Sequence, residues 1–579
     1  MRAFLATLVI FATILSVTVP SAKGQVSDNI SLTEKAPSSL PEPSSSLVQT
    51  DIVGPAGSEN FGHSVTSLPN GNFVVIDQYY DAPGPVADTG AVYLYNGSTG
   101  ALISTLTGNS AGDQIGTGIT VLTNGNFVIY SLFWDFGPFA DSGAVTWCSG
   151  VTGCSGAVTA ANSVIGTFPN EYIGNGGITP LPNGDYVIGS GNWGLLNVGA
   201  VTHASGTGGT VGPISAANSL VGSSAGDSIG YPVIVLPSGN YVVASSYWDN
   251  GPATNAGAVT WCNGSTGCQG AISPTNSLVG STTGDRLGSG DVTALTGGNY
   301  VVASPDWDNG AAADAGAVTH CKGLTGSTGT VSAANSLVGT SVNDSVGGGR
   351  VAVLANGNYV VPSPAWDNGA ITNAGAVTFV NGSAGITGPV STLNSLVGSA
   401  NNDVVGSDGV TPLNNGNYIV ASPFWDNGAT VNVGAATGGS GVVGAVGIIS
   451  TANSLIGSTA NDQVTSGGVT ALANNNYVVN SPLWDNGAAA DAGASTWGNG
   501  VTGTFGSVTP ANSLVGTTAN DNVGVVKATA LTNGNYVVDN AYWNNGAVPQ
   551  VGAVTWGNGL GGTVGAVSAA NSLVGTAAS

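Results

Sequence analysis

An all-β array of small antiparallel sheets is what this sequence predicts, and three observations predict it. The first is an internal repeat: Trp134, Trp193, Trp248, Trp307, Trp366, Trp425, Trp484 and Trp543 follow one another at steps of 59 residues, with a single step of 55 after Trp193. Tyr80 holds the same place in the first unit, giving about nine units between residue 57 and the C-terminus. The second is glycine, 93 of 579 residues, a density that together with many β-branched residues disfavours helix. The third is Asn-Gly between apolar runs, at Asn70-Gly71, Asn124-Gly125, Asn183-Gly184, Asn356-Gly357, Asn415-Gly416 and Asn533-Gly534. Both residues of such a turn take positive φ, which makes the pair a strong hairpin signal. A unit this short cannot bury its own apolar face, so neighbours must stack into a continuous core.

The fifth unit, residues 285–340, shows each element in turn. Residues 291–295 form a short β-branched run, predicted as the first strand. Gly297-Gly298 stands where other units have Asn-Gly and is the hairpin turn. Tyr300-Val301-Val302-Ala303 is a continuous apolar run, as expected of a strand covered on both faces. A long loop carries Trp307-Asp308-Asn309-Gly310, then Gly316-Ala317-Val318-Thr319 makes the third strand. A Gly-rich turn leads to a fourth, around residues 330–337. Four strands joined by turns give one antiparallel sheet. Such sheets in series, each covered on both faces, describe a β-propeller or propeller-like array of about nine four-stranded antiparallel blades.

Residues 1–24 read as a signal peptide: Arg2 supplies the positive start, residues 3–19 are apolar, and Ala22-Lys23-Gly24 offers small cleavage-site residues. An uncleaved membrane anchor is the alternative. Residues 25–50, with Pro37, Pro41 and Pro43 among many serines, read as a Ser/Pro-rich linker. The repeat domain occupies residues 51–579, and no later run is long and apolar enough to span a bilayer. Net charge is -23, from 7 Lys plus Arg against 30 Asp plus Glu. Removing Arg2 and Lys23 with the signal leaves 5 against 30, or -25. That surface repels phosphate backbones, so no nucleic-acid partner is expected. Acidity keeps a sheet-rich chain soluble and can also attract divalent cations.

Cys148 and Cys154, and again Cys262 and Cys268, flank the same Gly-containing hairpin in two units and are expected as disulfides of an exported protein. Cys321 faces Ser327 in the next unit and is left over.

The motifs resemble the FG-GAP repeat of integrin α-subunit N-terminal propellers. Phe61-Gly62 precedes a hairpin, Gly90-Ala91-Val92-Tyr93 follows the long loop, and middle units carry Ala-Ser-Pro between them, as at Ala303-Ser304-Pro305. The resemblance covers residues 51–579, and the phrasing is also similar to uncharacterised repeats of bacterial surface proteins. It implies a secreted or cell-surface protein acting in adhesion or ligand binding, with an extracellular protein or polysaccharide as partner. That family binds calcium in a hairpin rich in Asp and Asn. Here that hairpin carries a single carboxylate, Asp185, too few for calcium, so the family's metal site does not carry over. Nine units also exceed the seven blades of those propellers, leaving a larger ring, a ring with extra blades or an open array.

Two acidic series remain. Asp135, Asp308 and Asp485 follow the tryptophans, and Asp141, Asp314 and Asp491 come six residues later. Such pairs either grip a cation, calcium being the candidate, or cap backbone amides in a tight turn. Exchange for Asn in other units, as at Asn255, favours capping. The second series, Asp113, Asp227, Asp285, Asp344, Asp403, Asp462 and Asp521 with Glu59 and Glu171, is expected at contacts between units. The repeated tryptophans are expected in packing. A variable aromatic position (Tyr93, Trp147, His203, Trp261, His320, Phe379, Gly438, Trp497, Trp556) reads as a half-exposed face, which makes Trp147, Trp261, Trp497 and Trp556 candidate ligand-stacking residues. Catalysis finds no support. His63, His203 and His320 accompany no nucleophile motif. The carboxylates recur in every unit alike, whereas one active site needs one unit to differ. Three functions remain open: adhesion or ligand binding through loops, an accessory polysaccharide-binding module, and a structural spacer.

Overall fold

The computed structural model describes residues 51–84 and 86–577. The expected signal peptide and linker lie outside the described residues. Among those described, every regular element is a strand, and no helix is long and apolar enough to cross a membrane.

Nine sheets follow one another, one per unit, each with its strands in sequence order. In the second unit the strands are Gly118–Val121, Phe127–Ser131, Ala144–Cys148 and Ser163–Ile165. They pair antiparallel, with Val128 opposite Trp147 and Thr146 opposite Ser163. The array is thus all-β and propeller-like, as the repeat predicts. The expected fourth strand, however, is two strands. Gly156–Ala157 leaves its own unit and pairs parallel with Leu106 and Thr107 of the first. The chain then returns to Ser163–Ile165. The same detour occurs in every later unit, so the first eight sheets each have five strands and the ninth has four. Among the described residues no unit precedes the first, and its third and fourth strands, Ala91–Tyr95 and Leu102–Thr107, join through a short turn.

Packing follows from alternation. On one face of the second unit's sheet lie Val128, Val145 and Val164, which pack on Tyr186, Ile188, Ala200 and Ala204 of the third. On its other face lie Phe127, Ile129, Ala144 and Cys148, packed on Val74, Val92, Leu94 and Leu106 of the first. Every apolar cluster but one is of this kind, shared by two successive units. The exception is an N-terminal cap in which Ile52 and Phe61 cover Tyr93 and Tyr95, with Phe61 edge-on to Tyr93 at 5.6 Å. Inside each junction a Thr–Ser hydroxyl pair, such as Thr319 and Ser336 at 2.7 Å, supplies both buried hydroxyls with a partner.

Among the described strands none of the first sheet pairs with the ninth. The outer face of the ninth sheet is open, its Leu573 being 80% exposed where Leu514 of the eighth is 1%. The nine sheets therefore form an open series.

Candidate functional site

The Trp-Asp-Asn-Gly loops are built as a relay of caps. In the fifth unit, Asp285 accepts the amides of Ser281 and Thr282 through Oδ2 at 2.7 and 2.8 Å. Its Oδ1 accepts the amide of Asp308 at 3.0 Å. Asp308 Oδ1 in turn accepts the amide of Asp314 at 2.9 Å. Asp113, Asp135 and Asp141 repeat the chain of contacts, as do Asp462, Asp485 and Asp491. The residue at the end of the relay has positive φ, +56° at Asp141 and +50° at Asp314, a conformation that Asp and Asn tolerate best among residues with a side chain. Exchange with Asn255 or Gln550 preserves the contact, because only a backbone amide is donated there. In the third unit, where the loop is lost, Glu171 still anchors it by accepting the amides of Thr167, Phe168 and Gly194. Glu59, placed in this series by sequence, stands exposed instead.

The structure thus brings together each predicted pair and uses one oxygen of the leading aspartate as a cap. Among the described residues no group of three or more acidic, histidine or cysteine side chains is arranged to hold a metal. Burial pushes the carboxyls of Asp141, Asp314 and Asp491 above their ordinary value, and neighbouring aspartates push them further.

The tryptophans of these loops are core residues, as expected: seven are at most 4% exposed, and only Trp193, in the unit that lost the loop, is half-buried. The variable aromatic position is half-buried, as sequence suggests, but it serves the contact between units. Trp147, Trp261 and Trp497 lie in the seam between units, and each donates its indole N–H to a glycine carbonyl of the next unit: Gly206, Gly323 and Gly559, all at 2.9 Å. His203 lies 3.2 Å from the carbonyl of Gly264 in the same way. Variety is tolerated because the site is a seam between two backbones, where Gly438 leaves a gap and Phe379 stacks on Tyr418. Trp556 is exposed, no further unit covering it among the described residues. The register also shifts one assignment: Leu94, not Tyr93, is the first unit's counterpart of Trp147.

The asparagines of the hairpin turns belong to the same seam, a role that sequence reasoning missed. Asn356 and Asn358 donate their side-chain amides to the carbonyl of Gly441, one unit on, at 2.6 and 2.8 Å, and Asn415 and Asn417 do the same at Gly500. The signal was present: the turn requires positive φ only at its second residue, as at Gly357 and Gly416, yet the residues before and after it are Asn in most units.

Disulfides join Cys148 to Cys154 and Cys262 to Cys268, as expected. Cys321 is a buried free thiol whose pKa burial pushes up to about 12, against hydrogen bonds to Ser327 and Tyr300.

What remains exposed in the loops is a second aromatic series, one residue before the Trp position: Tyr79, Tyr247, Phe424 and Tyr542. Phe133 stands at the same place, edge-on to Tyr172. These rings occupy equivalent positions in their units and so recur along one side of the array. A shallow groove of about 480 Å³ runs over the first strands of the fifth to seventh units, lined by Asp291, Arg350, Val351 and Pro412.

A family described as a repeat of unknown function (DUF5650) matches residues 67–117, 121–175, 180–231, 235–289, 294–348, 353–407, 412–466, 471–525 and 530–579. No curated protein gives a significant match. Solved structures similar to the chain include BamB from Moraxella catarrhalis, 14% identical over 62% of this chain and 81% of that one, with a TM-score of 0.24. Another is the C-terminal WD40 domain of Sif2, 14% identical over 62% of this chain and 77% of that one, with a TM-score of 0.23.

Proposed function

Because the chain belongs to the DUF5650 repeat family, with nine copies in tandem, we propose that it is a non-catalytic, secreted or cell-surface array that binds an extracellular ligand through its loops. The observation that carries this reading is the division of labour within a unit. Both sheet faces, the turn asparagines and the seam aromatics are committed to neighbouring units, whereas the loop rings stay exposed, Tyr247 even with Arg286 of the next unit 6.0 Å from its centre. Weak sites repeated at several units gain strength by avidity without any one being strong. The resemblance to FG-GAP repeats supports adhesion as the setting, and the signal-like N-terminus supports export.

A second reading, accessory polysaccharide binding, is favoured by Tyr247, Phe424 and Tyr542, flat rings of the kind sugars stack upon. Retention of the purified chain on insoluble polysaccharides and on fixed cells, with calcium and then EDTA, separates the readings. Retention on cells supports adhesion, and release by EDTA assigns it to the acidic loops. Retention on polysaccharide that is lost in a Tyr247→Ala, Phe424→Ala, Tyr542→Ala variant supports the second reading. Failure on every surface removes both and leaves a structural spacer.

A further inference from the structure

One seam lacks its side chain. Where Trp147, Trp261 and Trp497 lie between units, the seventh unit has Gly438. It sits in the strand Ala435–Gly439 opposite Ile419, just as Trp497 sits opposite Val478. The methyl group that Ile419 adds over valine is small against a missing indole. A cavity of about 150 Å³ is left between the seventh and eighth units, lined by Ile419, Gly438, Gly500, Val501, Gly503 and Phe505. The polar partner of the missing ring is still in place. The carbonyl of Gly206 accepts Asn124, Asn126 and the Trp147 indole, and that of Gly559 accepts Asn474, Asn476 and the Trp497 indole. Gly500 is their equivalent. It accepts Asn415 and Asn417, each at 2.9 Å, and Gly438 has no ring N–H to give it.

Phe505 marks the same place from the other side. No other unit has a ring at its position, Ser155, Gln269 and Thr387 being counterparts. A Cβ on Gly326 or Gly562 would meet the Cβ of Trp261 or Trp497 at 2.7 Å, whereas one on Gly503 would meet the tip of the Phe505 ring at 2.8 Å. The ring therefore stands at the root of the missing side chain. It walls the gap without filling it and stays 50% exposed.

We propose that this cavity binds a small planar N–H heteroaromatic of indole size, held as a free molecule. The sibling seams supply the class of ligand: there an attached indole occupies the equivalent space and donates to the equivalent carbonyl at 2.9 Å. Space on this scale takes a single small ring system, as a dry engineered cavity of about 150 Å³ takes benzene. The ring would lie against Ile419 and Phe505, and its N–H would reach Gly500. Phe505 holds the point from which a seam side chain enters, so the bound ring is not one carried by a main chain.

Calorimetric titration of the full chain with indole tests this. One site per chain is expected, with 1-methylindole, which has no N–H, about fivefold weaker, the worth of one hydrogen bond. Gly438→Trp should abolish binding with circular dichroism unchanged, since a Cβ at Gly438 meets nothing closer than the Cα of Gly503 at 3.7 Å. Phe505→Ala, which removes a half-exposed wall and leaves the strands untouched, should weaken binding several-fold. The Tyr247→Ala, Phe424→Ala, Tyr542→Ala variant should bind indole as the parent does; loss there would place indole on the loops and overturn the proposal. So would an absence of binding, equal affinity for 1-methylindole, or undiminished binding by Gly438→Trp. Tighter binding of N-acetyltryptophanamide than of indole would make a polypeptide's tryptophan the occupant and overturn it too.

Discussion

Single residues carry the repeat through what they do for the backbone. Asp344 is buried and accepts the amides of Thr340, Ser341 and Asp367 at 2.7 to 2.9 Å. Asp344→Ala leaves three amides without their partner and should cost about 3 kcal/mol, at about 1 kcal/mol per lost bond, measured by chemical denaturation of the variant. Burial raises the carboxyls of Asp77, Asp113, Asp285, Asp344, Asp403 and Asp408 above the ordinary 3.8, as it does those of Asp141, Asp314 and Asp491. A carboxyl raised by folding binds more protons folded than unfolded, so its contribution to stability grows as pH falls toward 3.8 and is lost as pH rises through the folded value. The melting temperature should therefore be higher near pH 4, just above the ordinary carboxyl value, than at pH 8; a steady fall from pH 8 to pH 4 would contradict this. Ser327→Cys gives Cys321 the partner found in two other units. Oxidation should then remove the free thiol and add roughly 2 kcal/mol, seen by thiol titration and thermal melting.

Among the elements, the third strand depends on the glycine before it. Gly316 has φ +75°, and a Cβ there would meet the amide nitrogen of Val346 at 2.2 Å. Gly316→Ala should destabilise by roughly 3 kcal/mol or more, since neither backbone can give way, again read by denaturant midpoint. This explains the Gly-Ala-Val phrase physically: it is where one unit's strand touches the link into the next. The second and third strands were legible because five-residue apolar runs such as Tyr300–Ser304 and β-branched runs after Gly declare themselves. Gly329–Thr330 was not. Two residues have no period, and their partners, Leu278 and Val279, belong to another unit. For the same reason the seam role of half-buried Trp261 was not legible: the partner of its indole N–H is Gly323, which no reading of its own unit contains. Asn356→Ala with Asn358→Ala should weaken one seam by about 1–2 kcal/mol without disturbing either flanking sheet.

At the scale of the whole molecule, stability is a sum over units and junctions. The repeat length and unit count were readable from tryptophan spacing, but not the openness of the series, which depends on faces that only coordinates compare. Hydrogen exchange should form a gradient in which amides of the ninth unit, such as those of Ala553–Gly557, exchange faster than their counterparts in Ala317–Cys321. Uniform protection across all nine would show one cooperative block instead. The lent strand adds a constraint in time. Leu220 and Val221 are paired by Gly270 and Ala271, made fifty residues later. During synthesis or passage through a pore, each sheet must wait for nearly a whole further unit to emerge before its edge is closed. The growing chain thus always trails one unfinished sheet, and the place where it is open to capture by helper proteins advances with the ribosome.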